Sequence, residues 1–205
     1  MAHYSTTKTL LTLPLLLGLA ACSSGGSGPG QVADVNEPEP EFAVDPIASA
    51  DEREQYATNT SLDSAQKVNQ GAADPADLPA SASYEGNWAL SVNPGSGNPT
   101  ILGGATLLEA DFAQGTVTGE MRQEVNPDVS GTLSLTDGNI TDSALSAKAT
   151  GEMTGAGEGG DASVSVNTDV NGFFTDDGVA GTIDGTVDGD NAQGSFSADE
   201  VSRAE

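Results

Sequence analysis

Tyr84-Glu85-Gly86-Asn87-Trp88-Ala89-Leu90-Ser91-Val92 is the stretch on which the fold turns. In an extended chain Tyr84, Gly86, Trp88, Leu90 and Val92 share one face, and Glu85, Asn87, Ala89 and Ser91 share the other. That period of two predicts a half-buried β-strand. The same alternation recurs downstream. Thr106, Leu108, Ala110 and Phe112 stand against Glu109 and Asp111. Val117, Gly119 and Met121 oppose Thr116, Thr118, Glu120 and Arg122, and Val129, Gly131, Leu133 and Leu135 oppose Ser130, Thr132, Ser134 and Thr136. Asp137-Gly138 reads as a hairpin dipeptide. Leu145, Ala147, Ala149 and Met153 make a further strand, followed by a loop over 155–161. Val164, Val166 and Val170 lead to Phe174, then come Val179, Gly181, Ile183 and Val187, and last Gly194, Phe196 and Ala198.

About eight strands within the 122 residues from Tyr84 onward is a common size for a small closed barrel. No segment shows a helical period of ten or more residues, and one apolar face per strand means one core. The fold class expected is therefore all-β: a single eight-stranded antiparallel soluble β-barrel over 81–205. An open β-sandwich is the architectural competitor. A membrane-spanning barrel requires an outward apolar band with aromatic girdles. Five Phe, one Trp and three Tyr in the whole chain supply none.

Upstream, the chain reads as targeting segment and tether. Residues 1–21 carry Lys8 and then a Leu/Ala-rich run from Leu10 to Ala21. At about 12 residues the run is too short for a spanning helix, which needs roughly 20, and suits a signal-peptide core. It ends in Leu19-Ala20-Ala21-Cys22, which resembles the lipobox of bacterial lipoproteins and implies cleavage before Cys22 and acylation of its thiol. The competing reading is an ordinary signal peptide with a chance Cys. The chain's single Cys falling at the lipobox position favours lipidation. Acyl chains on Cys22 would then hold the protein to a membrane, at about 0.8 kcal/mol per buried methylene. Ser23 and Ser24, where an Asp would favour inner-membrane retention, lean toward the outer membrane and display at the cell surface.

Residues 22–80 are expected to form an acidic, mostly disordered tether. Ser23–Gly30 is Gly/Ser-rich, Asn36–Glu41 alternates Glu with Pro, and 72–79 is again linker-like. Asp51–Val68 has only Tyr56 and Leu62 as clear anchors and is expected to hold a helical turn or two.

Charge bounds the partners. Without residues 1–21 the chain keeps five basic side chains against 31 acidic, a net of −26. Such a polyanion does not bind nucleic acid by neutralising phosphates. Anionic head groups repel it as well, which makes a covalent anchor more necessary.

The residues now assembled resemble a known family. Tyr84–Trp88, Asp111–Gly119, Val170–Phe174, Ala180–Gly185 and Gly194–Ala198, behind a lipobox and a long tether, resemble the barrel domain of transferrin-binding protein B-like lipoproteins. Factor H-binding protein carries a related barrel. The resemblance implies an eight-stranded antiparallel barrel displayed at the outer membrane that binds through loops or an accessory domain. This chain has room for one barrel and no handle domain. Thr175-Asp176-Asp177-Gly178 stands where the family has a Tyr-Gly-Pro-like stretch, so no binding residue carries over.

No catalytic constellation is legible. His3, the only His, lies in the signal segment and Cys22 is the acylation site, so no Ser-His or Cys-His pair and no His/Cys zinc site is expected. Asn167-Thr168-Asp169-Val170-Asn171-Gly172 matches the first half of an EF-hand loop, but its twelfth position is Gly178 and its flanks read as strands. Asp184, Asp188, Asp190 and Asn191 are explained by turn chemistry. Trp88 belongs to the core, and Arg122 and Lys148 to surface ion pairs. No enzyme activity, cofactor or metal is expected. The function expected is a non-enzymatic binding module for a host or environmental protein or a small solute, with an acidic spacer as the alternative. Cys22→Ser should abolish incorporation of a fatty-acid analogue and leave a misprocessed precursor, because a hydroxyl does not replace the thiol as acyl acceptor. Equal metabolic labelling of both proteins would overturn the lipoprotein assignment.

Overall fold

Successive antiparallel strands with one apolar face close on themselves once enough are present, and eight are enough here. A computed structural model describes residues 43–95, 98–155 and 163–204. The elements are α1 (Ala50–Gln70), β1 (Ser81–Asn93), β2 (Thr100–Asp111), β3 (Thr116–Gln123), β4 (Ser130–Thr141), β5 (Ala144–Thr154), β6 (Ser163–Thr175), β7 (Gly178–Val187) and β8 (Asp190–Ala204). The strands pair in chain order and β8 returns to β1, giving a closed antiparallel barrel. The expected eight-stranded barrel is therefore the fold observed, and the open sandwich is not.

The inward rows are those the alternation predicted. Trp88, Leu90, Leu102, Leu108, Met121, Leu133, Met153, Phe174, Ile183 and Phe196 are all fully buried. Trp88 of β1 lies opposite Phe196 of β8 across the closing seam, and its indole Nε1 donates to the Arg122 carbonyl at 2.9 Å. Tyr84 and Phe112 pack on Phe174 with ring centroids 5.3 and 4.7 Å away. Phe112 sits just past the end of β2 and is only half buried, so it seals the rim rather than filling the centre. One inward group has no partner: the Thr106 hydroxyl.

Two local expectations differ from what is found. Asp137-Gly138 is not a hairpin turn. β4 runs through it to Thr141, with one extra residue relative to both β3 and β5. Asp137 takes the left-handed conformation (φ 53°) that such a bulge needs, and a Cβ on Gly138 would lie 1.9 Å from the Val117 carbonyl oxygen. The actual β4–β5 turn is at Asp142, also left-handed (φ 57°). Short polar Asp tolerates that region, so an Asp-Gly pair identifies a positive-φ site without telling a bulge from a hairpin.

The larger difference concerns the segment before the barrel. Ala50–Gln70 is a 21-residue helix docked on the barrel, not a turn or two within a loose tether. Ser49 caps it, with Oγ accepting from the Glu52 amide at 3.2 Å and donating to the Glu52 carboxylate at 2.8 Å. Gly71, with φ 91°, terminates it. Both flanks are tied down. Val44 N–H donates to Glu124 Oε2 and Ile47 N–H to the Val125 carbonyl, each at 2.8 Å; Ala73 N–H donates to the Phe174 carbonyl at 2.9 Å. The expected tether thus carries fixed structure from Ala43 onward, while 22–42 lie outside the described residues.

The packing orders the effects of substitution. Phe174→Ala should lower stability by about 3–5 kcal/mol, since it removes a fully buried ring that packs against Tyr84 and Phe112. Glu109→Ala, on an exposed outward position, should change it by under about 0.5 kcal/mol. Thermal melts of the two variants beside the parent measure the contrast, and equal losses would refute the inward–outward assignment of β2 and β6.

Candidate functional site

An eight-stranded barrel is just wide enough for side chains to fill, and this one is filled. Surface chemistry has therefore to be sought on the outer wall, and α1 is what makes that wall uneven. Where α1 lies, outward positions are small: Ala89 on β1, Gly103 and Ala105 on β2, Ala180 on β7, Ser195 and Ser197 on β8. Each is buried, although each faces away from the barrel core. A Cβ on Gly103 would stand 2.7 Å from the Trp88 carbonyl and 2.9 Å from the Tyr56 ring, so only glycine admits the helix at this depth.

Polar contacts fix the helix axis. The Tyr56 hydroxyl shares its proton among the Gly104 carbonyl at 3.1 Å and the Trp88 carbonyl and Asn87 Oδ1, both at 3.3 Å. Burial pushes the Tyr56 phenol well above its usual range; the Thr60 side chain opposes this in part, and the Glu124 carboxylate adds to it. Farther along, Ser64 Oγ donates to the Gly181 carbonyl at 3.1 Å, and Lys67 pairs with Asp199. These contacts lie along one face of α1 at spacings of eight and three residues, and that face is polar.

The neighbouring face of α1 is more apolar, and among the described residues nothing covers Leu62 or Val68. Ala57, Ser61, Leu62, Ala65 and Val68 border a groove whose other side is Ala89, Pro99, Ile101, Thr182 and Gln193. Its volume is about 840 Å³. Leu62 is 55% exposed and Val68 38%, and both line it. From Glu54 to Val68 the helix borders the groove for about 21 Å at 1.5 Å per residue.

Chemically the groove is a contact surface. Glu54 is its only carboxylate, and the Ser64 hydroxyl is already committed to Gly181. No His or Cys lies among the described residues, and no group of three potential metal-ligating side chains is found among them.

The residues singled out in the sequence are scattered. Cys22 lies outside the described residues. Asn167, Asp169 and Asn171 alternate along the extended β6, a geometry that does not wrap an ion; Lys148 pairs with Asp169 at 2.8 Å, and hydrogen bonding to that carboxylate raises the Lys148 pKa. Arg122 pairs with Glu120, as expected of a surface cation. Asp188, with φ 51°, forms the β7–β8 turn, while Asp184 sits opposite Asp169 on β7. The groove itself was not anticipated. The signals that announce it are the Ser49–Glu52 cap, the Gly71 stop, and the strand segments that are small on their outward face.

No protein-family model and no curated protein matches the chain.

The buried phenols make stability fall in alkali. A folded-state pKa raised above the unfolded value of about 10 contributes fully below pH 10 and is lost as pH climbs toward the folded value. Melting temperature should therefore fall above about pH 10. Tyr56→Phe should cost about 1 kcal/mol at neutral pH through its lost hydrogen bonds and flatten part of that alkaline slope. An unchanged slope in the variant would show that Tyr56 does not titrate as described.

Proposed function

We propose that the chain is an exported lipoprotein, acylated at Cys22 and held at the outer membrane, whose barrel and docked helix act as a non-enzymatic binding module. The observation that carries this reading is the groove beside α1, where Leu62 and Val68 stay exposed together beside a barrel whose inward rows form one packed core. Exposed large apolar side chains gathered in one groove mark contact sites more often than isolated ones do. The likeness of the strand motifs to transferrin-binding protein B-like lipoproteins supports the same reading, and membership of that family is part of the proposal. A closed eight-stranded barrel is compatible with it.

Binding in this reading requires α1, so the probe must keep it. The lipid-free chain from Ser23 onward, immobilised and exposed to outer-membrane extract and culture medium, should retain a partner in near-stoichiometric amount. Failure to retain one from cells grown under several nutrient conditions would replace this reading with that of an acidic spacer.

A further inference from the structure

The groove beside α1 also states what kind of partner fits it. Three observations converge. First, its exposed lining is apolar at Leu62 and Val68, with the buried Ile101 and small residues facing them, so it offers room for side chains the size of Leu or Val. Second, among the described residues no basic side chain lines it and one carboxylate does. Glu54 borders it directly, and Asp184 borders the adjoining depression, which shares Gln193 with the groove. Third, each basic side chain of residues 22–205 is already engaged elsewhere. Arg53 donates to the carbonyls of Ile47 and Ala48, and Lys67, Arg122, Lys148 and Arg203 pair with Asp199, Glu120, Asp169 and Glu200.

Net charge selects among the occupants of such a groove. A second copy of the chain would bring two bodies of net charge −26 into contact, and the field of each would oppose the approach. Anionic lipid and nucleic acid meet the same repulsion. A cationic partner is steered toward the protein by the same field, and an apolar side chain on it gains by leaving water against Leu62 and Val68.

We propose that the groove between α1 and the β1, β2, β7 and β8 wall binds a cationic amphipathic peptide segment, with apolar side chains seated along Leu62 and Val68 and Lys or Arg side chains against Glu54 and Asp184. The inference rests on the binding-module reading and deepens it. At about 21 Å the groove accommodates roughly six residues of extended chain or about 14 of helix.

The test uses the lipid-free chain from Ser23 onward and three synthetic 14-residue peptides carrying a fluorophore: one of Leu and Lys, one of Gly and Lys with equal charge, and one of Leu and Glu. Fluorescence anisotropy should show saturable binding of the Leu/Lys peptide, at least tenfold weaker binding of the Gly/Lys peptide, and none of the Leu/Glu peptide. The double variant Leu62→Ser, Val68→Ser alters only exposed side chains, so its melting temperature should match the parent while its affinity for the Leu/Lys peptide falls at least tenfold. Equal affinities for the Leu/Lys and Gly/Lys peptides would reduce the effect to diffuse attraction by the acidic surface and overturn the proposal. So would a double variant that binds the Leu/Lys peptide as the parent does. The two readings fail separately. A partner retained from extract equally by parent and double variant leaves the binding module standing and removes the groove. Peptide binding lost in the double variant, with no partner retained from extract, supports the groove and leaves its natural occupant outside the extract sampled.

Discussion

The seam between β1 and β8 is the constraint from which the rest follows. Residues Ser81–Asn93 pair along Asn191–Ala204, joining the first strand of the barrel to the last. Until that seam forms, β1 and β8 are both open edges and the inward rows of both face water. Once it forms, Trp88 and Phe196 come together and every strand has two neighbours. One irregularity is absorbed there: β8 carries an extra residue where Ser83 and Tyr84 meet Ser202 and Glu200, which leaves Val201 pointing outward at 52% exposure. With a single Cys in the chain, no intramolecular disulfide assists this closure, so side-chain packing and strand pairing hold the ends together.

Closure also determines what the outside does. Side chains form one packed core inside the barrel, and pairing all round leaves little strand edge for a partner to extend. What remains is the shape of the outer wall. Along β1, β2, β7 and β8 the outward positions shrink to Gly, Ala and Ser, and the wall accepts a helix at close range. Because those side chains are small, they give α1 little apolar area to bury. The helix is held by backbone carbonyls instead, through Tyr56 and Ser64, with Lys67 at its end. That mode of docking leaves the adjacent apolar edge of α1 uncovered, and so creates the groove.

The same chemistry explains what sequence patterning reveals and what it hides. Alternation of large apolar and polar residues is strong wherever one face meets the core and the other meets water. The strands of the barrel are therefore legible, from Tyr84–Val92 to Phe196. A helix that docks through Tyr, Thr, Ser and Lys onto a Gly/Ala wall carries almost no such contrast. Thr60 and Ser64 are the buried positions of α1, and neither contributes to an apolar stripe. The cap at Ser49 and Glu52 and the stop at Gly71 were readable, but they mark the ends of a helix without supplying a reason for it to dock. Asp137-Gly138 failed for a related reason: the dipeptide specifies a backbone conformation, and only the neighbouring strands decide whether a turn or a bulge uses it.

Charge and apolar surface are thus separated around the barrel rather than mixed. On β5 and β6 the outward residues are Ser, Thr, Glu, Asn and Asp, with Lys148 set against Asp169, and a wall of that kind repels other anions and stays hydrated. Within the groove beside α1, Glu54 is the one carboxylate among the described residues, and Leu62 and Val68 stand exposed. A long-range field works at distances near the Debye length, about 8 Å at physiological salt, while apolar contact works only once water has left. In the proposed binding mode, the acidic body would gather cationic chains from solution without discrimination, and the groove would discriminate among them by their apolar side chains. Selectivity then resides in a handful of uncharged residues, even though charge dominates the composition of the chain.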